Sequence, residues 1–291
     1  MKSEIDVERD CQGIRYTMFA ASSLLFVPGS RPDRFAMARA AGAGLTVVDL
    51  EDAVAPGDKR TAREAALAEF AANPAGLAVR INGIATAAGI ADLAALASAD
   101  VLPETVFVPM VESGDELAIV AAALGRGCPA LIPLIETPKG LRHALAIAQA
   151  PEVVAVMFGG ADFAGELGVA LAWDPLLAAR GNLILACAEA RVPAIDVPYV
   201  ALDDAAGLAE ECRRARALGF AAKAAIHPAQ IAAIEQAFVP SDGDVAEARE
   251  ALAAYRAGGE RAIRFRGRML EAPLVKRYRT ILDKKGLREN A

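Results

Sequence analysis

The stretch "ALIPLIETPKG", residues 130–140, has the pattern of a buried strand that ends in a carboxylate and leads directly into a helix. Its first six residues are uniformly apolar, which is typical of a strand buried on both faces of a parallel sheet. Glu136 follows at the end of this strand, where a charge is costly to bury unless something binds it. The stretch therefore predicts a strand, a functional charge and a helix, in that order.

The same strand-and-helix unit recurs along the chain. Short apolar runs, each followed by an Ala-rich segment with helical spacing, begin at Ser23, Leu45, Leu77, Thr105, Ala130, Val153, Val192 and Phe220. Their starts lie 22 to 39 residues apart, about the length of one strand plus one crossover helix. Eight fairly even units without a break in composition favour a closed (β/α)₈ TIM barrel over a doubly wound open sheet. We expect an N-terminal arm over residues 1–20, the barrel over 21–240, and a helical C-terminal extension over 241–291 that acts as a lid or oligomer contact.

Composition excludes several classes of protein. The apolar runs are too short to span a bilayer, and the polar N-terminus lacks the features of a secretory signal. Four widely spaced cysteines without a CxxC pair predict neither a disulfide framework nor a zinc site. A net charge of −6 without a basic, aromatic-interleaved block argues against a nucleic-acid surface. We expect a cytoplasmic protein with no membrane or nucleic-acid partner.

Charged and polar residues gather where the predicted strands end. They are Asp49, Glu51, Asp52, Arg80, Asn82, Glu136, Asp162, Asp196, Lys223 and His227. Any one of them has a simpler interpretation as a helix cap or a turn residue. Caps do not explain Arg80 or a strand that ends in "IET". Because the βα loops of a TIM barrel converge at the C-terminal ends of its strands, the set predicts a site at that rim.

Two of these carboxylates suit a shared metal ion. Glu136 and Asp162 are 26 residues apart, one βα unit, so they are expected on adjacent strand ends. Oxygen ligands without Cys or a nearby His favour Mg²⁺ over Zn²⁺. The alternative is a general acid and a general base without a metal, which requires the environment to push their pKa values apart.

Two arginines are candidates for binding anions. Arg80, in "VRING", can hold a substrate carboxylate in two parallel hydrogen bonds, or it forms a salt bridge to Asp49 or Glu51. Arg31, in "VPGSRPDRF", stands at a predicted helix start, where phosphates dock. An exposed arginine without a ligand is the alternative for Arg31.

Taken together, the motifs identify a family. The chain resembles the citrate lyase β-subunit and malyl-CoA lyase family, within the HpcH/HpaI aldolase group of Mg²⁺-dependent TIM barrels, over residues 23–285. The likeness rests, in the family's order, on "LLFVPGSRPDRF", "VVDLEDAVAPGDKRTARE", "VRING", "PLIETPKGL", "FGGADFAGELG" and "GFAAKAAIHPAQI".

The resemblance implies roles for individual residues. Glu136 and Asp162 match the two Mg²⁺ ligands, and Arg80 matches an arginine beside the metal that contacts the substrate acid. The positions implied to touch substrate or coenzyme A are Phe26, Arg31, Ala161, Ile226 and His227. The implied proton-transfer groups are Asp52 and Glu271. In relatives such as malyl-CoA lyase, the segment that carries the counterpart of Glu271 lies over a neighbouring subunit's active site, so we expect a homo-oligomer, a trimer or a multiple of it.

The implied reaction is cleavage of a 3-hydroxyacyl-CoA of the malyl-CoA, citramalyl-CoA or citryl-CoA type to an acyl-CoA and a 2-oxo acid. Three departures from the family pattern bear on this expectation. Met37 and Met110 stand where relatives carry lysine, Glu271 stands where Asp is more common, and "AASS" replaces an arginine before the first strand.

The missing cations leave alternatives open. One is a CoA-independent 2-oxo acid aldolase, or a variant that condenses acyl-CoA and hydrolyses the thioester. Another, of a different class, is a non-catalytic subunit of a larger lyase complex. Retention of Glu136, Asp162 and Arg80 counts against the non-catalytic subunit.

Overall fold

The computed structural model describes residues 5–9, 15–73, 75–125 and 127–287, with the backbone alone for 5–9 and 15–18. The chain forms two compact units that divide between Ile234 and Glu235. Much of the expected N-terminal arm lies outside the described residues. Within it, the backbones of β1 (Ile5–Arg9) and β2 (Arg15–Phe19) pair antiparallel.

Eight parallel strands form a closed barrel in chain order, and the last strand pairs with the first. They are β3 (Ser23–Pro28), β4 (Leu45–Asp49), β5 (Leu77–Arg80), β6 (Thr105–Val108), β7 (Ala130–Ile135), β8 (Val156–Phe158), β9 (Ala194–Asp196) and β10 (Ala222–Ala225). Each strand lies within one of the eight apolar runs, so the predicted TIM barrel is confirmed. Hydrogen bonds between neighbouring strands close the ring and leave no free sheet edge in it.

Helices follow the strands. They are α1 (Phe35–Ala40), α2 (Lys59–Ala72), α3 (Ala87–Ala97), α4 (Gly114–Leu124), α5 (Pro138–Arg142), α6 (Ala144–Ala148), α7 (Gly160–Leu167), α8 (Trp173–Ala190), α9 (Ala205–Leu218) and α10 (Ile231–Phe238). Several begin at a side-chain cap; Thr137 Oγ1, for example, accepts from the N–H of Gly140 at 3.0 Å. This cap fixes the chain immediately after Glu136. Among the described residues, no helix is both long and apolar enough to cross a membrane.

The barrel interior is filled by side chains from alternate positions of the strands. This core includes Leu24, Phe26, Val47, Ala78, Phe107, Ile132, Leu134, Met157, Ile195, Ala222 and Ala224. Because side chains alternate between the two faces of a strand, positions two residues further along also point inward. At the C-terminal ends these positions are occupied by Pro28, Asp49, Arg80, Glu136, Gly159, Val197 and Ile226. The same periodicity that builds the core therefore places polar groups at one mouth of the barrel.

The second unit consists of two packed helices and a short hairpin. Its elements are α11 (Asp242–Ala257), β11 (Ile263–Phe265), β12 (Arg268–Leu270) and α12 (Ala272–Lys284). Leu252, Leu270 and Leu282 are among the residues of its own apolar core. Ser241 begins α11 with a capping box, because its Oγ accepts from the N–H of Asp244 while Asp244 Oδ2 accepts from the N–H of Ser241.

Candidate active site

A cavity of about 370 Å³ opens at the C-terminal ends of the barrel strands. Its polar lining residues are Asp49, Asp52, Arg80, Glu136 and Asp162. The other lining residues are Phe26, Pro28, Ala53, Leu134, Met157, Gly159, Ala161, Leu171, Val197, Pro198, Val200 and Ile226. The cavity thus lies at the rim where the sequence placed the site.

Arg80 is held in the cavity wall by a fork of hydrogen bonds. Its Nε and Nη2 donate to Oδ1 and Oδ2 of Asp49, both at 2.7 Å. Its Nη1 lies 2.9 Å from Glu51 Oε2 and 3.3 Å from Asp52 Oδ2. Burial alone lowers the pKa of Arg80, but the hydrogen bonds and charge of Asp49 outweigh it and keep that pKa above its ordinary value. The salt bridge considered for Arg80 is therefore present, on a guanidinium that also lines the cavity.

Asp49 organises the loop that follows β4. Beyond its bonds to Arg80, its two oxygens accept from the backbone N–H groups of Glu51 at 2.9 Å and Ala53 at 3.2 Å. Asp49 is almost fully buried, whereas the side chain of Asp52 is 65% exposed. Burial raises the pKa of Glu51 to about 8, against the lowering effect of Arg80. Asp49 is thus a buried anchor, and Asp52 is an exposed carboxylate on the cavity wall.

Glu136 is a buried carboxylate with little protein support. The described residues give its carboxylate one hydrogen bond, from the N–H of Met110 to Oε2 at 2.7 Å. Met110 adopts a left-handed backbone conformation, with φ of 57°, which is uncommon outside glycine. The pKa of Glu136 is raised to about 7, chiefly by burial; the N–H of Met110 acts to lower this pKa, and the charge of Asp162 acts to raise it. A carboxylate in this environment is well placed to bind a cation.

Gly159 leaves room for this carboxylate. A Cβ built on Gly159 would lie 2.1 Å from Glu136 Cγ and 2.4 Å from Oε1. Such separations are far below van der Waals contact, so any other residue at position 159 displaces Glu136. The glycine after β8 is therefore required by close approach.

Asp162, in the first turn of α7, faces the same cavity as Glu136. Burial, and after it the charge of Asp52, raises the pKa of Asp162. No group of three or more His, Cys, Asp or Glu side chains in the described part of the chain is arranged to hold a metal by itself. Two carboxylates fit Mg²⁺, which is usually bound through one or two carboxylates together with water and substrate oxygens.

The cavity brings together seven of the residues expected at the site: Phe26, Asp52, Arg80, Glu136, Ala161, Asp162 and Ile226. Arg31 is outside the lining, and its Nε and Nη2 donate to the carboxylate of Asp33 at 2.8 and 2.7 Å. His227 is also outside the lining; its Nδ1 accepts from the N–H of Ala229. Glu271 belongs to the second unit, at the residue before α12.

Five of the ten polar strand-end residues are absent from the cavity lining: Glu51, Asn82, Asp196, Lys223 and His227. Three of them, Asp196, Lys223 and Asn82, are used elsewhere in the fold, so the expectation of one common rim is wrong for them. Asp196 accepts from Arg180 Nε at 2.9 Å and from Lys223 Nζ at 2.6 Å, and all three side chains are buried. Lys223 Nζ also donates to Glu211 on α9 at 2.7 Å. Ile195 and Ala222 point into the barrel, so Asp196 and Lys223, one position later, point outward to the helices.

Asn82 is the third such residue. Its side-chain amide donates to the carbonyl of Leu50 at 2.9 Å and to Asp92 at 2.6 Å. It ties β5 to the neighbouring loop and to α3, and it plays no part in lining the cavity.

Two further features of the site were not identified from the sequence. They are the backbone N–H of Met110 and the apolar wall that includes Leu171, Val197 and Val200. Val197 could have been predicted from the sequence, because it lies two positions after Ile195 of β9, which points into the barrel. The left-handed Met110 has no sequence signal, because the residue type does not favour that conformation.

Comparison with known proteins places this site in a family. Residues 22–228 match the family described as HpcH/HpaI aldolase/citrate lyase, and residues 187–283 match one described as C-C bond lyase of the TIM-barrel fold. The citrate lyase subunit beta-like protein of Mycobacterium tuberculosis is 36% identical over 275 residues, covering 92% of this chain and 96% of the relative. The mitochondrial citramalyl-CoA lyase of Homo sapiens is 32% identical, covering 87% of this chain and 82% of that enzyme.

A solved structure supports the same placement. CitE from Mycobacterium tuberculosis, in complex with magnesium, acetoacetate and coenzyme A, superposes with a TM-score of 0.80 at 35% identity, covering 92% of this chain and 98% of that chain. The expected carbon–carbon lyase class is confirmed by these relatives. The chain therefore belongs to the HpcH/HpaI aldolase/citrate lyase family.

Proposed function

We propose that this chain is a Mg²⁺-dependent lyase that cleaves a 3-hydroxyacyl-CoA to an acyl-CoA and a 2-oxo acid. The observation that carries the proposal is one cavity that joins a buried, poorly supported carboxylate, Glu136, to Asp162 and to the anchored Arg80. A metal site beside a fixed guanidinium suits a substrate with a carboxylate next to a hydroxyl group.

Glu136 and Asp162 are the residues that would hold the metal. When bound, Mg²⁺ makes a substrate hydroxyl group more acidic and stabilises negative charge on oxygen. The N–H of Met110 and the space above Gly159 orient Glu136 toward the cavity. These backbone features prepare the ligand before the substrate arrives, which lowers the cost of assembling the site.

Arg80 binds the substrate carboxylate. Because Asp49 already fixes the plane of the guanidinium, little side-chain entropy is lost when the substrate binds. The remaining N–H donors can hold the carboxylate of the hydroxy acid and stabilise charge that develops as the carbon–carbon bond breaks.

Asp52 is the proton-transfer group that the barrel supplies. Its side chain is largely exposed at the cavity, and its contact with Arg80 is long, at 3.3 Å. In cleavage, Asp52 accepts the hydroxyl proton, the O–H electron pair forms the carbonyl of the 2-oxo acid, and the bond to the α-carbon of the thioester breaks. The resulting enolate takes that proton back from Asp52 at its α-carbon, which gives the acyl-CoA and restores the Asp52 carboxylate.

The thioester end of the substrate is assigned to residues at and beside the mouth. Phe26 and Ile226 lie on the cavity wall, and Arg31 and His227, which are not part of its lining, occupy chain positions expected to contact coenzyme A. Glu271, supplied by a neighbouring subunit of a homotrimer, is the second candidate for proton transfer. The trimer and a cytoplasmic location remain predictions from the sequence.

A CoA-independent 2-oxo acid aldolase is the second candidate. The observations that favour it are that Arg31 is paired with Asp33, and that Met37 and Met110, which stand where relatives carry lysine, expose apolar side chains. Calorimetric titration of the Mg²⁺-loaded protein with acetyl-CoA distinguishes the two. Binding favours the CoA-dependent reaction, and no binding at millimolar concentration favours the aldolase.

The decisive assay is turnover. The purified chain is incubated with Mg²⁺ and with malyl-CoA or citramalyl-CoA, and release of the 2-oxo acid is measured. Glu136→Gln and Asp162→Asn are expected to lose at least about 100-fold in kcat/KM, because each removes a charged metal ligand while preserving shape. Glu189→Gln is the matched control, because Glu189 is an exposed carboxylate near the C-terminal end of α8 and is not part of the cavity lining. Near-normal activity in both site variants would refute the proposal.

A further inference from the structure

The backbone ladder between β9 and β10 is short. The two strands pair at two register positions, the last of which joins Asp196 to Lys223. The chain continues from β9 into residues 197–204, here called the β9 loop, and from β10 into residues 226–230, here called the β10 turn. Both segments are fully described, and no backbone hydrogen bond joins one to the other. The two segments therefore depend on side chains for a fixed separation.

The two segments supply one wall of the cavity. Val197, Pro198 and Val200 of the β9 loop and Ile226 of the β10 turn belong to its lining. All four side chains are apolar, and Val200 and Ile226 are 56% and 44% exposed. We call these four residues the mouth wall. Because they come from two segments, the shape of the mouth wall depends on how firmly those segments are joined.

Gln230 joins the two segments through their backbones. Its Oε1 accepts from the N–H of Ile226 at 3.0 Å and from that of His227 at 3.2 Å, and its Nε2 donates to the carbonyl of Tyr199 at 2.7 Å. An amide suits this position because it offers an acceptor oxygen and a donor nitrogen on one planar group. Gln230 is buried, so water does not compete for these bonds, and it is not part of the cavity lining.

Tyr199 extends this connection to the next helix. Its Oη donates to Asp204 Oδ2 at 2.7 Å, and Asp204 Oδ1 accepts from the N–H of Gly207 at 2.8 Å as the N-cap of α9. The β9 loop is thus fixed at its end by the start of α9 and in its middle by Gln230. Val200 lies between these two fixed points.

Lys223 supports the same loop in a different way. Its Nζ donates to the carbonyl of Val197 at 2.7 Å, to Asp196 at 2.6 Å and to Glu211 at 2.7 Å. Lys223 therefore fixes the start of the β9 loop as part of a buried ion network. The side-chain bonds of Gln230 all go to the backbone of the two segments, so its substitution weakens the connection without leaving a buried charge unpaired.

We propose that Gln230 is the positioning residue of the mouth wall: by bonding the β10 turn to the β9 loop, it holds Ile226 and Val200 in the arrangement that receives the apolar part of the substrate. This inference rests on the proposed lyase function and adds to it a residue outside the cavity. The mouth wall carries no charged group, so it contributes equally to binding the substrate and the transition state. Such a contribution affects KM and leaves kcat nearly unchanged.

Gln230→Met tests the proposal by kinetics, because methionine has a similar size and makes none of the three hydrogen bonds. With Mg²⁺ and whichever of malyl-CoA and citramalyl-CoA the natural protein cleaves, KM is expected to rise roughly tenfold, since the mouth wall must be ordered when the substrate binds. The kcat and the calorimetric Mg²⁺ affinity are each expected to stay within about twofold. A variant that only folds poorly would lose kcat through a smaller active fraction and keep its KM.

Gln236→Met is the matched control, because Gln236 is an exposed glutamine on α10 and is not part of the cavity lining. It is expected to leave KM and kcat unchanged. An unchanged KM in Gln230→Met, or an equal rise in both variants, would overturn the inference.

Hydrogen exchange followed by mass spectrometry tests the same bonds on the full chain without substrate. Gln230→Met is expected to speed exchange several-fold in the β9 loop and in the β10 turn, and to leave the core strands β4 and β5 unchanged. Gln230→Glu keeps an acceptor for Ile226 and His227 but has no donor for Tyr199, so faster exchange is expected in the β9 loop alone.

Unchanged exchange of both segments in Gln230→Met would contradict the positioning role. This measurement decides on Gln230 even if the natural protein cleaves neither thioester. Failure to cleave either thioester would count against the lyase proposal alone.

Discussion

Asp49 and Arg80 are direct neighbours in the register of β4 and β5, and the carboxylate of Asp49 accepts two hydrogen bonds of 2.7 Å from the guanidinium of Arg80. The pairing of two adjacent barrel strands therefore sets the orientation of the cavity's arginine. Because the backbone ladder of the closed barrel is rigid, this side chain is oriented before any substrate binds.

Arg80→Lys is expected to lower kcat/KM by at least about 100-fold while the protein remains folded. A lysine keeps the charge but offers a point donor in place of the planar fork, so it cannot bind Asp49 and a substrate carboxylate at the same time. Steady-state kinetics and circular dichroism measure the two effects. Arg63→Lys is the matched control, because Arg63 also pairs with a buried acid, Asp92, away from the cavity. Equal losses in the two variants would indicate a general stability effect.

Gly159→Ala is expected to weaken Mg²⁺ binding at least about tenfold, because the new methyl group would overlap the side chain of Glu136. Calorimetric titration with Mg²⁺ measures the change. Gly165→Ala in α7 is the control, since a Cβ there meets nothing within 4 Å. That control is expected to bind Mg²⁺ normally and to be slightly more stable, by about 0.5–1 kcal/mol. Unaltered Mg²⁺ affinity in Gly159→Ala would contradict the role assigned to Glu136.

The raised pKa of Glu136 predicts how stability depends on pH. Between the ordinary value of 4.5 and about 7, the folded protein retains a proton that the unfolded chain has released. Glu136 therefore makes the free energy of unfolding of the metal-free protein fall as pH rises through this window. Glu51 contributes in the same direction up to about pH 8.

Glu136→Gln removes the contribution of Glu136 to that fall. In EDTA at pH 8, the variant is expected to be more stable than the natural protein by on the order of 1–3 kcal/mol, with a smaller difference at pH 5. Urea unfolding at the two pH values measures this. Added Mg²⁺ should stabilise the natural protein and leave the variant nearly unchanged. Identical pH dependence in both proteins would show that Glu136 is not the buried titrating group.

Asp196→Ala tests the buried ion network on the outer side of the barrel. It leaves Lys223 and Arg180 buried without their shared carboxylate, so we expect a loss of about 3–5 kcal/mol in the free energy of unfolding. Mg²⁺ affinity, measured under folding conditions, is expected to change less than about twofold. Asp174→Ala, which removes an exposed carboxylate paired with Arg214, should cost less than about 1 kcal/mol. A loss of Mg²⁺ binding in a folded Asp196→Ala variant would show that Asp196 belongs to the metal site after all.

The sequence predicted the barrel well because each strand lies in a continuous apolar run, and because the segment that follows each strand has helical spacing. It also predicted that Glu136 and Arg80 line the site, since a charge that ends such a run is costly to bury without a binding partner. Asp196 and Lys223 were predicted wrongly, because they end strands in the same way but point outward. Side chains alternate between the two faces of a strand. Asp196 and Lys223 come one position after the core residues Ile195 and Ala222 and so point outward, whereas Glu136 comes two positions after the core residue Leu134 and so points inward.

Other features depend on tertiary geometry that residue types do not encode. Arg31 stands where an anion could dock, yet the anion it binds is Asp33, two residues away. Met110 contributes through its backbone, in a conformation that its side chain does not favour. The contribution of Glu271 depends on the arrangement of subunits, which the sequence of a single chain does not specify.

The measurement that tests the central claim most directly is a crystal structure of the full chain with Mg²⁺ and pyruvate. We expect one ion in the barrel mouth with a carboxylate oxygen of Glu136 and one of Asp162 at about 2.0–2.1 Å, and with pyruvate oxygens and water in the remaining positions. An ion held by other residues, or Glu136 and Asp162 directed to separate places in the presence of saturating Mg²⁺, would contradict this claim.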